Sequence, residues 1–158
     1  MILIGYDGSP DAQAAIQSAG KLLGGRPATV LSVWERFQEV LIRSGVGMPI
    51  GEVDYEALDR SYAEQAGQRA EEGAELARAA GLEAQARTRA RGGSIADTVL
   101  AEAEELDAEA IVLGTRGLTG LKSFFLGSVS HAVLQNADRP VIVVPSAETA
   151  AERATHRR

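Results

Sequence analysis

The chain has 158 residues, 45% hydrophobic and 24% charged, with a formal net charge of −6 and no cysteine. That length suits one domain around a single core. The missing cysteines exclude disulfides, thiol catalysis and cysteine-ligated metal, and the acidic balance argues against broad nucleic-acid binding, which needs a basic footprint. No apolar run approaches the roughly 20 residues of a membrane helix. Met1 leads straight into a strand pattern with no basic region or cleavage site, so the expected location is the cytoplasm, away from membranes.

In chain order, Ile2 to Tyr6 is a short, mostly apolar run closed by the turn signal Asp7-Gly8-Ser9-Pro10. It reads as a buried strand followed by a helix from Pro10 to Leu23, capped by Ser9, with Pro10 at the first helical position and Gly24-Gly25 as the stop. Ala28 to Trp34 is β-rich and reads as a second buried strand. From Glu35 to Val53 the chain carries Gly45, Gly47 and Gly51, and a long loop is expected there, serving as a lid, an interaction segment or a variable surface. Asp54 to Ala80 is helical by composition, with its charges forming a solvated face, and Gly81 ends it. Leu82 to Arg91 alternates in the manner of an exposed edge strand, its arginines protecting the edge. Ser94 and Asp97 form a capping-box signature for a helix running to about Leu106.

Ala110 to Leu113 is a further buried strand, and Gly114 to His131 follows it as GTRGLTGLKSFFLGSVSH. The last helix runs to about Ala137 with Val129, Val133 and Leu134 assigned to one face. Val141 to Val144, between Pro140 and Pro145, supplies the closing strand. Ser146 to Arg158 shows no apolar periodicity and is expected to fray. The alternation of strands and helices implies a parallel sheet with helices on both faces, with any ligand beyond the carboxyl ends of the strands.

Strand, glycine loop and helix N-terminus together form a recipe for holding an anion, because unpaired N–H groups and the positive end of the helix dipole point at the loop. Gly114 and Gly117 permit the turn and a close approach of ligand to backbone, while Gly127 and Ser128 open the helix, the Ser128 hydroxyl either capping it or meeting a phosphate oxygen. Arg116 and Lys122 make the stretch locally positive, or are simply solvated. The spacing matches neither G-x-x-x-x-G-K-[ST] nor a G-x-G-x-x-G after the first strand. Asp7, at the carboxyl end of the first strand, suits a ribose hydroxyl or a divalent cation beside phosphates, and equally a turn or cap. His131 reads as a first-turn residue facing solvent or the loop. No Ser-His-Asp set or pair of carboxylates can be nominated for catalysis.

Gly114-x2-Gly117-x9-Gly127-Ser128 resembles the G-x2-G-x9-G-[ST] signature of the nucleotide-binding branch of the universal stress protein family. The opening strand with its D-x-S turn and the closing Pro140 to Pro145 segment resemble that family too. The resemblance implies a Rossmann-like open sheet in the order 3-2-1-4-5, with a domain spanning residues 1–145. It implies ATP or another adenine nucleotide, with magnesium, held by Gly114, Gly117, Gly127 and Ser128 at the phosphates, by Asp7 at the nucleoside and by the Val33 backbone at the adenine. Gly5, Tyr6, Leu113, Arg116, Val129 and Ser130 complete the expected wall, with Asp7 as the one candidate magnesium ligand. It further implies a homodimer through the Val141–Val144 edge and a nucleotide-dependent sensor acting on an unknown protein partner. The alternatives are a slow ATPase or autophosphorylating enzyme, with Ser123, Ser128 or Ser130 as acceptor, and a dimeric scaffold whose nucleotide motif is not used.

Overall fold

The structure is a computed structural model that describes residues 1–45, 53–117 and 126–155. Lys122, Ser123, His156 and the Gly47 to Gly51 stretch lie outside those residues. The strands are β1 (Ile2–Gly5), β2 (Pro27–Trp34), β3 (Glu83–Ala90), β4 (Ala110–Gly114) and β5 (Val141–Val144). The helices are α1 (Pro10–Leu23), α2 (Phe37–Ser44), α3 (Tyr55–Ala79), α4 (Ile95–Glu105), α5 (Ser128–Asn136) and α6 (Ala147–Thr155). All strand pairings are parallel and the order is β3-β2-β1-β4-β5. Among the described residues no helix is long and apolar enough to cross a membrane.

The near-continuous apolar runs of β1 and β4 follow from burial on both faces. On one face Ile2, Ile4, Tyr6 and Val30 meet Ala12, Ile16 and Ala19 of α1 and Ala74 and Ala77 of α3. On the other, Leu3, Leu31, Ile111 and Leu113 meet Ala96, Val99 and Ala103 of α4 and Val133 of α5. The long helix α3 is polar on most of its circumference, and only a stripe of small residues, Ala66, Ala70, Gly73, Ala74 and Ala77, is buried. Small side chains let its backbone settle directly on the sheet. At Gly73 a Cβ would stand 2.7 Å from the Tyr6 ring and 2.8 Å from Val30.

Two segments differ from the sequence expectation. Within the Glu35 to Val53 loop the chain forms α2, because Phe37 seats its ring against Tyr55 and Tyr62 of α3, each at 6.2 Å between centroids. The Phe37 N–H donates to Asp59, and Gly45 ends the helix with φ of 68°. The tail does not fray as expected: residues 147–155 form α6, whose first turn is fixed by tertiary hydrogen bonds to Asp11 rather than by an apolar face. A smaller correction concerns α5. Val133 is fully buried but Leu134 is 45% exposed, since one residue turns the helix by about 100°.

The arginines of β3 are more than edge protection. Arg87 and Arg89 both engage Glu102 of α4, which is only 2% exposed, and both reach Glu105; Arg91 pairs with Glu35 at the end of β2. A carboxylate so deeply buried is tolerable because two guanidiniums face it.

The close approach of α3 gives a direct test. Gly73→Ala is expected to destabilise the protein by about 1–3 kcal/mol despite the better helix propensity of alanine, since the added methyl meets Tyr6 and Val30. Urea denaturation measures this, and unchanged or increased stability would refute the close-approach account.

Candidate functional site

The strand order reverses between β1 and β4: from β1 the chain winds outward through β2 to β3, then returns to β4 on the other side. Helices leave the two central strands in opposite senses, opening a crevice beyond their carboxyl ends. A cavity of about 550 Å³ occupies it. The residues expected to form the nucleotide wall, Gly5, Tyr6, Asp7, Val33, Leu113, Gly114, Arg116, Gly117, Gly127, Ser128, Val129 and Ser130, all line it, whereas His131 does not and Lys122 and Ser123 lie outside the described residues.

The turn after β1 is built by short-range bonds. Gly8 has φ of +83°, and the Ser9 N–H donates to Asp7 Oδ1 at 2.9 Å. The Ser9 hydroxyl then accepts from the Ala12 N–H, capping α1, and donates to the Arg116 carbonyl at 3.3 Å. Asp7 is thereby turned toward the opposite loop: a Cβ at Gly117 would lie 2.7 Å from Asp7 Oδ2. Gly117 is glycine because a carboxylate occupies the space its side chain would take.

Gly114 has a different reason. A Cβ there would lie 2.6 Å from the Asp11 carbonyl carbon and 2.7 Å from the Ala12 nitrogen, so this glycine lets α1 rest on the end of β4. Beyond it the two ends of the glycine stretch are tied together. The Gly127 N–H donates to the Thr115 carbonyl at 2.7 Å, and the Ser130 hydroxyl donates to the Gly114 carbonyl at 2.6 Å. Gly127 itself is the cap residue of α5, and among the described residues no side chain caps that helix. Ser128, exposed, leaves its hydroxyl out of the capping role considered for it. The first turn of α5 therefore presents its N–H groups at the cavity wall without a side-chain acceptor. His131 is exposed.

The two sides of the wall contrast in polarity. Leu31, Val33, Ile95, Val99, Leu113 and Val129 form an apolar side. Arg116 belongs to the polar side, and it is not a solvated loop cation: its side chain is 17% exposed and its Nη1 stands 3.1 Å from Glu152 Oε2 of α6. Burial, and then the hydrogen bond to Glu72, push the Tyr6 phenol up to about 12, so it stays protonated and donates to Glu72 Oε1 at 2.8 Å. The Arg43 hydrogen bond holds the Glu35 carboxyl below its usual range, aided against burial by Arg91.

Several wall residues went unseen in the sequence. Tyr62, Gln65 and Arg69 come from α3, and Trp34, Glu35 and Val40 from the end of β2 and from α2. The spacing of Tyr62, Gln65 and Arg69 places them on one helical face, a signal available only once α3 is known to pass the mouth of the cavity. Arg69 Nη1 reaches the buried Ser32 hydroxyl at 3.4 Å.

Asp11, also unforeseen, fixes the polar side. It is 4% exposed. Its Oδ2 accepts from the Thr115 hydroxyl and from the Arg116 N–H at 3.1 Å. Its Oδ1 accepts from the Ser146 N–H at 3.1 Å and the Thr149 hydroxyl at 3.2 Å. Burial pushes this carboxyl up, but the bonds from Ser146, Thr115 and Thr149 outweigh it and hold it below its ordinary value. Among the described residues no group of three or more His, Cys, Asp or Glu is placed to hold a metal ion.

This arrangement is that of a single-domain, doubly wound parallel α/β protein with a cavity at its topological switch point. The chain belongs to the universal stress protein family, whose model matches residues 1–145. A relative from Thermus aquaticus, the universal stress protein in the QAH/OAS sulfhydrylase 3′ region, is 34% identical over 149 residues, covering 90% of this chain and 96% of the relative. Universal stress protein YxiE of Bacillus subtilis (strain 168) is 45% identical over 60 residues, or 38% of this chain, and the match spans only 40% of that relative's length. Among solved structures, hypothetical protein MJ0577 superposes with a TM-score of 0.72 at 22% identity, covering 91% of this chain and 94% of the other. The Archaeoglobus fulgidus universal stress protein in complex with dAMP gives 0.58 at 23% identity over 90% and 95% of the two chains. An Arabidopsis thaliana family protein with AMP bound gives 0.62 at 14% identity over 94% and 97%.

Because Asp11 is ionised against hydrogen-bond donors, its stabilisation is complete above the carboxyl's unfolded pKa and is lost as pH falls through its lower folded value. Asp11→Asn, which offers an amide to groups that need an acceptor, is expected to cost about 2–4 kcal/mol near neutral pH and progressively less below about pH 4. Chemical denaturation of both proteins across that range checks the sign. A gap that widens in acid would contradict it.

Proposed function

We propose that the cavity binds an adenine nucleotide, most simply ATP, and that the chain is a cytoplasmic sensor whose nucleotide occupancy alters its dealings with a protein partner. The observation that carries this reading is the convergence of the glycine stretch, Asp7 and Val33 on one cavity. The apolar side suits a planar base, with the Val33 backbone at its edge. The uncapped first turn of α5, with Gly117, Gly127, Ser128 and Arg116, suits phosphates. The Asp7 carboxylate on the same wall suits the ribose hydroxyls. Relatives of the same fold solved with dAMP and AMP support the ligand class.

Magnesium fits this wall only as a companion of the nucleotide. Among the described residues the wall carries two carboxylates, Asp7 and Glu35, and Glu35 is already engaged by Arg43 and Arg91. Magnesium readily keeps most of its ligands as water and phosphate oxygen, so Asp7 alone would hold it against the protein. Its contribution would be to neutralise phosphate charge.

Calorimetric titration with magnesium ATP should show about one site per chain and a micromolar Kd, near −8 kcal/mol, from a few charge-assisted backbone bonds offset by ordering costs. Gly114→Val is a poor control, because its Cβ would collide with the α1 backbone and disturb the fold. Val33→Trp fills the apolar side instead and should weaken ATP binding by about tenfold or more while leaving the melting temperature within a few degrees. Binding that survives this substitution would place the base elsewhere, and no uptake by the wild type would defeat the nucleotide reading.

We further propose a homodimer paired through β5, since among the described residues that strand hydrogen-bonds β4 on one side only and its side chains are half-buried. Light scattering at micromolar concentration should return twice the chain mass, and a monomeric value would refute the pairing.

A further inference from the structure

We propose that Glu152 of α6 is a positioning residue that sets how strongly the cavity holds anionic ligands, acting through Arg116. The proposal deepens the nucleotide reading and rests on it. Arg116 lies on the cavity wall, and Glu152 reaches it from outside that wall. The pair is unequal: the guanidinium is 17% exposed and the carboxylate 44%. A wet carboxylate loses little when its partner leaves, whereas a phosphate entering the cavity offers the same guanidinium a two-pronged contact out of water. The two anions therefore compete for one cation, and the fixed negative charge of Glu152 also opposes whatever charge the ligand brings.

The competition is built in by geometry. Asp11 accepts from the Arg116 N–H with one carboxylate oxygen and from the first turn of α6 with the other. Ser146 then caps that turn, its hydroxyl accepting the Thr149 N–H at 3.2 Å. Glu152 follows Thr149 by three residues, so it stands on the same side of α6 as the Asp11 contact, facing the loop that carries Arg116. The helix cannot drift away from the loop without breaking the Asp11 bonds. The ligand class selected against is the multiply charged nucleotide, and the class left untouched is the uncharged nucleoside.

The test compares magnesium ATP, AMP and adenosine by calorimetry on the full chain, as wild type, Glu152→Gln, Arg116→Gln, Arg116→Lys and the double Arg116→Gln, Glu152→Gln. Removing the Glu152 charge should tighten ATP about three- to tenfold, AMP less, and adenosine not at all. Arg116→Gln should weaken ATP and abolish the gain in the double variant, with Arg116→Lys recovering part of it. Glu152→Gln that weakens ATP, leaves it unchanged, or shifts ATP and adenosine equally overturns the proposal, as does a gain that persists without Arg116. Wild-type protein that takes up no nucleotide overturns the nucleotide reading and this one with it. Wild-type binding that Glu152→Gln does not alter overturns this one alone.

Discussion

The polar half of the molecule depends on one buried carboxylate. Asp11 stands in the first turn of α1, where a negative charge already suits the helix dipole, and it spends both oxygens on groups far away in sequence. It joins the loop after β4 to the segment after β5, across more than a hundred residues of chain. The contact exists only because Gly114 lets the start of α1 lie against the end of β4. A glycine that looks like part of a ligand cradle is thus first a packing requirement, and the loop it precedes is anchored by a helix that the glycine pattern does not include.

The fold was largely legible. Strands β1, β2, β4 and β5 are short apolar runs with turn signals at both ends, and the capping box of α4 is present as Ser94 and Asp97. Their order came from family resemblance, because parallel strands joined through helices carry no local mark of their neighbours. The misreadings share a cause. Helices α2 and α6 are short, and what stabilises them lies outside their own sequence: the Phe37 ring among tyrosines of α3 in one case, the Asp11 hydrogen bonds in the other. Helices of eight or nine residues are marginal alone, so propensity and periodicity say little about them.

The site was legible in its glycines and in Asp7, since these answer to local chain geometry. It was not legible in α3, whose Tyr62, Gln65 and Arg69 look like any solvated helical face until the helix is laid across the sheet. Arg116 shows the same limit. In sequence it is a loop cation, but in space it is half enclosed and faced by Glu152, which no spacing rule connects to it. Charges become informative only when their partners are known, because both the desolvation cost and the Coulomb gain depend on the neighbours.

The two edges of the sheet are finished differently, and this bears on how large any assembly can grow. On β3 the arginines are drawn down onto Glu102 and Glu105, so that edge is dressed with bulky, paired charge. On β5 the edge is four apolar residues, and among the described residues no paired charge dresses it. In the dimer proposed above, joining a second copy through β5 would consume the open side of both, and the charged β3 edges would be left outermost. The charge that guards the β3 edge is thus held in place by glutamates of α4, a helix packed on the face of the sheet rather than at its edge.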